Sequence, residues 1–144
     1  METPTLQEII QVIQELNIPK YAYNKEYEAE KSVEKAVSKQ LEEIYGKENV
    51  TQQYSVGGFL ALKCDIDLFD KQCGIELKLA KSLTATIMQR VIGQVIYYSN
   101  RCYHDTGLIL LVVGKEKEYD SKMKELGKFI NDLHNIHFVY KSID

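Results

Sequence analysis

Apolar residues recur at helical spacing in four stretches of the chain, and five shorter stretches have the pattern of strands. The predicted helices are residues 3–17, 25–45, 83–101 and 116–133, and the predicted strands are residues 49–56, 59–69, 74–79, 108–113 and 137–143. The run LILLVVG is apolar throughout, which is typical of a strand buried on both faces. The predicted order is therefore two helices, three strands, and then helix, strand, helix and strand.

This order predicts an α/β fold in a single domain spanning residues 1–144. Residues 3–17 are an extra N-terminal helix, about 25–113 form an αβββαβ core, and 114–144 add a helix and a strand. The connection between residues 74–79 and 108–113 is helical and long enough to join two parallel strands. We therefore expect a mixed sheet flanked by helices, with 108–113 as an interior strand parallel to a neighbour.

Composition narrows the class of protein but does not name an activity. A hydrophobic content of 44% and a charged content of 27% are ordinary for a globular domain. No apolar run approaches the roughly 20 residues of a membrane span, and the first residues lack the pattern of a signal peptide. Three cysteines without a CxxC spacing favour reduced thiols and a cytoplasmic location. The net charge of −3 allows nucleic-acid binding only through a locally basic surface.

The segment CDIDLFDKQCGIELKLAK, residues 64–81, combines two alternating strands with an unusual polar face. Aliphatic residues alternate with Asp65 and Asp67 on the first strand, and with Glu76 and Lys78 on the second. The polar positions are thus three acids and one lysine, whereas an ordinary solvated strand carries mixed polar residues.

A turn centred between residues 71 and 72 would set Asp67 opposite Glu76 and Asp65 opposite Lys78, with paired Cβ atoms about 4.5–5.5 Å apart. Two carboxylates so close repel each other unless a cation lies between them, and oxygen ligands suit Mg²⁺ or Mn²⁺. Lys78 would then orient or deprotonate a water, or neutralise charge on a phosphate. The alternative is an ordinary cross-strand charge pair, such as Asp65 with Lys78.

Asp67 followed by Glu76-Leu77-Lys78 resembles the motif of the PD-(D/E)xK nuclease superfamily, which has a restriction-endonuclease-like fold. Ile66 stands where that superfamily has its proline. The predicted element order also resembles the superfamily's αβββαβ core. The resemblance implies that Asp67 and Glu76 hold the metal, with Asp65 as the alternative to Asp67, and that Lys78 is catalytic.

The resemblance also implies functional residues on two of the predicted helices. On residues 25–45, Glu34 would be an additional metal ligand, with Glu30 as the alternative. On residues 83–101, Gln94 and Tyr98 match the Gln-x-x-x-Tyr of the RecB-like and lambda-exonuclease-like branches. Gln94 would support the catalytic site, while Tyr98 and Arg90, spaced four apart from Gln94 along the same helix face, would contact nucleic acid. The alternative is that these are boundary and core residues.

The resulting expectation is a metal-dependent nuclease that hydrolyses phosphodiester bonds, with DNA as the substrate by resemblance alone. Lys81, directly after the second strand, is a further candidate for nucleic-acid contact. No membrane association is expected. The chain is short and has no evident DNA-reading domain, so a partner protein for specificity or a homodimer that cuts two strands is compatible with this function. The alternative is a non-catalytic protein of the same fold that binds nucleic acid or serves as a structural subunit.

Overall fold

In the computed structural model, which describes residues 2–144, five strands form one sheet with helices on both faces. The helices are α1 (Leu6–Glu15), α2 (Lys20–Tyr23), α3 (Ala29–Tyr45), α4 (Ala85–Tyr98) and α5 (Ser121–Asn131). The strands are β1 (Val50–Ser55), β2 (Lys63–Leu68), β3 (Cys73–Leu79), β4 (Leu108–Gly114) and β5 (Ile136–Ser142). The predicted α/β class and the order of the predicted elements are confirmed, and the short helix α2 is an addition that the sequence analysis did not predict.

The strands lie side by side in chain order, and the sheet is mixed. β1, β2 and β3 form an antiparallel meander, whereas β3, β4 and β5 are mutually parallel. All seven residues of β4 are buried and the strand pairs on both sides. The prediction of an interior, parallel strand at 108–113 is therefore confirmed, since an unbroken apolar run fits only a position covered on both faces.

Each face of the sheet has its own hydrophobic core. Helices α1 and α3 cover one face with Ile9, Ile13, Val33, Val37 and Leu41. Helices α4 and α5 cover the other with Val91, Val95, Tyr98, Met123, Leu126 and Ile130. Fully burying one such aliphatic side chain contributes about 1.5–3 kcal/mol, so these two layers supply most of the stability. Within residues 2–144 no helix combines the length and apolarity that a bilayer crossing requires.

Capping side chains and backbone conformation determine where three of the helices begin, which hydrophobic periodicity predicted only approximately. α1 begins after Thr5, whose hydroxyl accepts from the Glu8 main-chain N–H while the Glu8 carboxylate accepts from the Thr5 N–H. α3 starts at Ala29 instead of residue 25, because Glu28 has a left-handed φ of 56°. α5 starts at Ser121 instead of residue 116, where the Asp120 carboxylate caps it.

The turn between β2 and β3 differs from the prediction and changes the register of the pair. Phe69, Asp70 and Lys71 all have positive φ, at 54°, 49° and 72°. This left-handed turn centres one residue earlier than expected, so Asp67 faces Gly74 and not Glu76. A shift of two residues in the pairing keeps each side chain on its face but changes its neighbour across the strands.

Gly74 offers a test of this packing, because a Cβ there would lie 2.5 Å from Cζ of Tyr103 and 2.8 Å from a methyl group of Leu108. We expect Gly74→Ala to lower the free energy of unfolding by about 1–3 kcal/mol, since the core has no room for the methyl group. Chemical denaturation followed by circular dichroism measures the change.

Gly93, on α4, is the matched control because a Cβ added there would have nothing within 4 Å. Gly93→Ala should raise the free energy of unfolding by about 0.5–1 kcal/mol through helix propensity. Equal effects at the two glycines would contradict the packing described for Gly74.

Candidate functional site

β2 and β3 separate after only three paired residues, and the gap is bridged by side chains. The ladder runs from Leu68–Cys73 to Ile66–Ile75 and then ends. Beyond it, Oδ2 of Asp65 accepts the main-chain N–H of Leu77 at 2.8 Å, where a β2 carbonyl would otherwise be expected. In the reverse direction, Oε1 of Glu76 accepts the main-chain N–H of Asp65 at 3.3 Å. The carboxylates of Asp65 and Glu76 are therefore neighbours where the strands part.

Lys78 joins this pair and connects it to α3. Its Nζ lies 3.4 Å from Oε2 of Glu76 and 3.9 Å from Oε2 of Glu30. The ammonium group is mostly buried, with 18% of its side chain exposed. The predicted cross-strand pair of Lys78 with Asp65 is wrong, because the shifted register puts Asp65 beside Glu76 instead.

Glu34 approaches the same point from α3, through two glutamines of β1. The Glu34 carboxylate accepts from Nε2 of Gln52 at 3.0 Å and from Nε2 of Gln53 at 3.1 Å. Gln53 also donates to Oδ1 of Asp65 at 3.2 Å, so one amide links the two acids. Its φ of 52° takes it out of the β1–β2 ladder, which pairs only the residues on either side. The sequence pattern did not reveal Gln53, since its left-handed backbone has no glycine or asparagine to signal it.

Burial and mutual repulsion shift the titration of this cluster. The pKa of Glu76 is raised to about 8, first by burial and then by Asp65, with Lys78 acting in the opposite direction. Burial and Asp65 also raise the pKa of Glu34, and burial raises that of Glu30. Burial acts to lower the pKa of Lys78, but Glu76, Glu30 and Asp65 together raise it, so this residue is a cation at neutral pH. The cluster contains more acid than its one lysine can neutralise.

Asp67 is not part of the cluster, which corrects the sequence-based choice of this residue over Asp65. It is 1% exposed, and its Oδ1 accepts the Tyr103 hydroxyl at 2.7 Å. The same carboxylate accepts the main-chain N–H of Lys71 at 3.1 Å and closes the left-handed turn. Asp67 therefore holds the hairpin together, and Asp65, the alternative weighed from the sequence, lies beside Glu76.

The candidates on and near α4 have separate environments. Tyr98 is buried and donates to the main-chain oxygen of Lys63 at 2.9 Å; burial and then Glu76 raise its pKa. Oε1 of Gln94 is buried and finds no hydrogen-bond partner within residues 2–144, while Arg90 is exposed. Lys81 is exposed, but its ammonium bonds the Tyr23 main-chain oxygen and lies 4.5 Å from that ring's centroid.

The donor set suits a hard cation held by few protein ligands. Within residues 2–144 no three His, Cys, Asp or Glu side chains are grouped so that they could hold a metal ion. Asp65 and Glu76 are nevertheless adjacent, supply only oxygen, and belong to a cluster in which acidic groups outnumber the one lysine. Mg²⁺ commonly takes one or two carboxylates and keeps several waters, so the two side chains fit that ion better than zinc or calcium.

Comparison of the chain with protein-family models, with curated proteins and with solved structures finds no match. The arrangement of the side chains themselves is therefore the basis for an assignment of function.

The raised pKa of Glu76 predicts a specific dependence of stability on pH. An unfolded glutamate titrates at about 4.3 and the folded one at about 8, so the folded protein binds more protons between these values. The contribution of Glu76 to the free energy of unfolding is therefore fully present below about pH 4.3, and it falls as the pH rises from there to about 8. Without divalent ions, we expect Glu76→Gln to gain on wild type steadily as the pH rises, to as much as about 5 kcal/mol near pH 8, and to be nearly equal to it near pH 4.

Urea denaturation in EDTA across this pH range measures the difference. Glu43→Gln is the control, because Glu43 is an exposed glutamate on α3. Parallel stability profiles for wild type and Glu76→Gln would show that Glu76 is not the titrating group.

Proposed function

We propose that the protein is a metal-dependent nuclease that hydrolyses phosphodiester bonds, with a PD-(D/E)xK-like site whose first acid is Asp65. The observation that carries the proposal is the meeting of Asp65, Glu76 and Lys78 where β2 and β3 separate. An acid on one strand and Glu-x-Lys on the next is the pattern of that superfamily. With Asp65 as the acid, Cys64 takes the position of the superfamily's proline.

Asp65 and Glu76 would hold Mg²⁺ or Mn²⁺. The cation would neutralise charge on a phosphate and make a water nucleophilic near neutral pH. Support for this role comes from the raised pKa of Glu76, since a carboxyl group buried beside another acid is stabilised in its charged form by a neighbouring cation.

Lys78 is assigned to charge stabilisation. Burial acts to lower its pKa, but Glu76, Glu30 and Asp65 outweigh burial and raise it, which favours the charged ammonium. A fixed ammonium in a mostly buried position stabilises the extra negative charge on the phosphate oxygens as the transition state forms. Hydrolysis then adds one water oxygen to phosphorus, breaks the bond to one ester oxygen, and leaves a proton on that oxygen.

Glu34 and Gln94 are assigned supporting roles. Glu34 is tied to Asp65 through the Gln53 amide, so it orients that carboxylate whether or not it touches the metal. Gln94 presents a buried Oε1 without a protein partner within residues 2–144, on the helix face that also carries Tyr98. A buried unpaired oxygen is unfavourable, which favours a bound group that donates to it.

Mutation can test the different roles assigned to Asp65, Lys78 and Asp67. Asp65→Asn and Lys78→Ala should each lower Mg²⁺-dependent cleavage by about 10²- to 10³-fold, because they remove a metal ligand and a charge-stabilising group. Asp67→Asn should retain cleavage within about tenfold and lower the free energy of unfolding by about 1 kcal/mol, because it weakens only the Tyr103 and Lys71 hydrogen bonds.

The assay uses plasmid, linear and single-stranded DNA and RNA with Mg²⁺ or Mn²⁺, alongside thermal melts with and without the metal. Asp67→Asn is the matched control, since it changes the same residue type two positions along β2. Loss of cleavage in Asp67→Asn but not in Asp65→Asn would reverse the assignment. If the wild-type protein cuts none of the substrates and melts at the same temperature with and without metal, the non-catalytic alternative is correct.

A further inference from the structure

The loop between β1 and β2 holds an aromatic ring in solvent. Phe59 is 89% exposed, the highest value among the large apolar side chains of residues 2–144, and its neighbour Leu60 is half exposed. Exposure of a whole phenyl ring is unfavourable in water. A ring held in this way is therefore a candidate contact for another molecule.

The loop is fixed in this conformation by α4. The Tyr97 hydroxyl donates to the main-chain oxygen of Gly57 at 3.2 Å and accepts the N–H of Leu60 at 3.3 Å. The Tyr97 ring also meets Phe59 edge to face, with centroids 5.8 Å apart. Gly58 has a φ of 81° and packs directly on the Tyr97 hydroxyl, so only glycine fits there. The ring of Phe59 is thus positioned by contacts on both sides of the loop.

Two cationic side chains adjoin this loop and make no ion pair within residues 2–144. Lys63 begins β2 directly after the loop, and the Arg101 guanidinium packs against Gly57 and Gly58. A local excess of free cations contrasts with the net charge of −3 for the whole chain.

This surface adjoins the proposed active site. The main-chain oxygen of Lys63 accepts the hydroxyl of Tyr98, whose own pKa is raised first by burial and then in part by Glu76 and Asp65. Asp65 follows Lys63 by two strand residues, a span of about 7 Å. A chain bound across the loop would therefore lead directly to the acidic cluster.

We propose that Phe59, Tyr97, Lys63 and Arg101, the Phe59 patch, bind one strand of a nucleic acid with an unpaired base stacked on Phe59. This proposal rests on the proposed function and extends it to a substrate class, single-stranded or splayed nucleic acid. The face of a base is free for stacking only when its neighbours do not cover it, and aromatic rings combined with cations form the usual surface for such strands. A lone ring bordered by free cations suits a polyanion better than a protein partner, whose contact core is apolar and depleted of charge.

Fluorescence anisotropy in EDTA tests the patch without cleavage, with oligo-dT, oligo-rU and a duplex of the same length as probes. Wild type should bind the single strands more tightly than the duplex. Phe59→Ala should weaken single-strand binding by about 5- to 100-fold, and Phe59→Tyr should restore it, because stacking needs only an aromatic ring. The slope of log affinity against log salt concentration should fall by about 0.7 in Lys63→Gln and stay unchanged in Phe59→Ala.

Phe129→Ala is the matched control, because Phe129 is a 47% exposed phenylalanine on α5. Absence of single-strand binding, or binding that Phe59→Ala leaves unchanged, would overturn the proposal. So would a Phe59→Ala protein that loses only self-association in sedimentation, which would make the patch a contact between copies of the chain. Phe59-dependent binding without any cleavage would reject the proposed nuclease activity but support the Phe59 patch as a binding surface. Duplex cleavage that Phe59→Ala leaves unaffected would support the nuclease activity and reject the Phe59 patch.

Discussion

The hydrogen bond from the Leu77 main-chain N–H to the Asp65 carboxylate is the contact on which the candidate site depends. It replaces a strand-to-strand bond with a side-chain bond, and so allows β2 to leave β3 without an unpaired donor on β3. The separation brings the carboxylates of Asp65 and Glu76 together and leaves room for Lys78. A fully paired hairpin would have formed a continuous ladder in the same place.

This arrangement is electrostatically unfavourable, because the cluster holds more acidic groups than basic ones. Glu30, Asp65 and Glu76 lie near a single ammonium group, that of Lys78. Glu34 is joined to Asp65 through the Gln53 amide, and burial raises the pKa of all three glutamates. A site built only for stability would have balanced these charges or replaced them with apolar side chains. Surplus acid in a partly buried position is common where a protein binds a cation or carries out catalysis. This is the physical basis for the nuclease proposal.

The two faces of the sheet contribute differently to the site. α3 supplies acids, and the amides of β1 orient Glu34. α4 supplies Tyr98, which joins the start of β2 through the Lys63 main chain, and Tyr97, which holds the Phe59 loop. The proposed chemistry and the proposed strand-binding surface therefore share one helix, so a change in α4 would affect both.

The sequence by itself determined the fold class, the order of elements, the interior position of β4 and the set of residue types at the site. Those features follow from hydrophobic periodicity, which short-range patterns carry. Strand alternation pointed to Glu76, Lys78 and both candidates for the other acid, whereas Glu34 was proposed only through the resemblance to the nuclease superfamily.

Only the tertiary structure decided between Asp65 and Asp67. Three consecutive residues with positive φ shift the turn by one position, and none of them is glycine, so no local signal marks it. The Tyr103 hydroxyl, which engages Asp67, comes from a segment 36 positions away in the chain. Gln53 likewise contacts Glu34 and Asp65 only because β1 and α3 pack together. Register and long-range hydrogen bonds depend on the whole fold, and for that reason the pattern along the chain did not contain them.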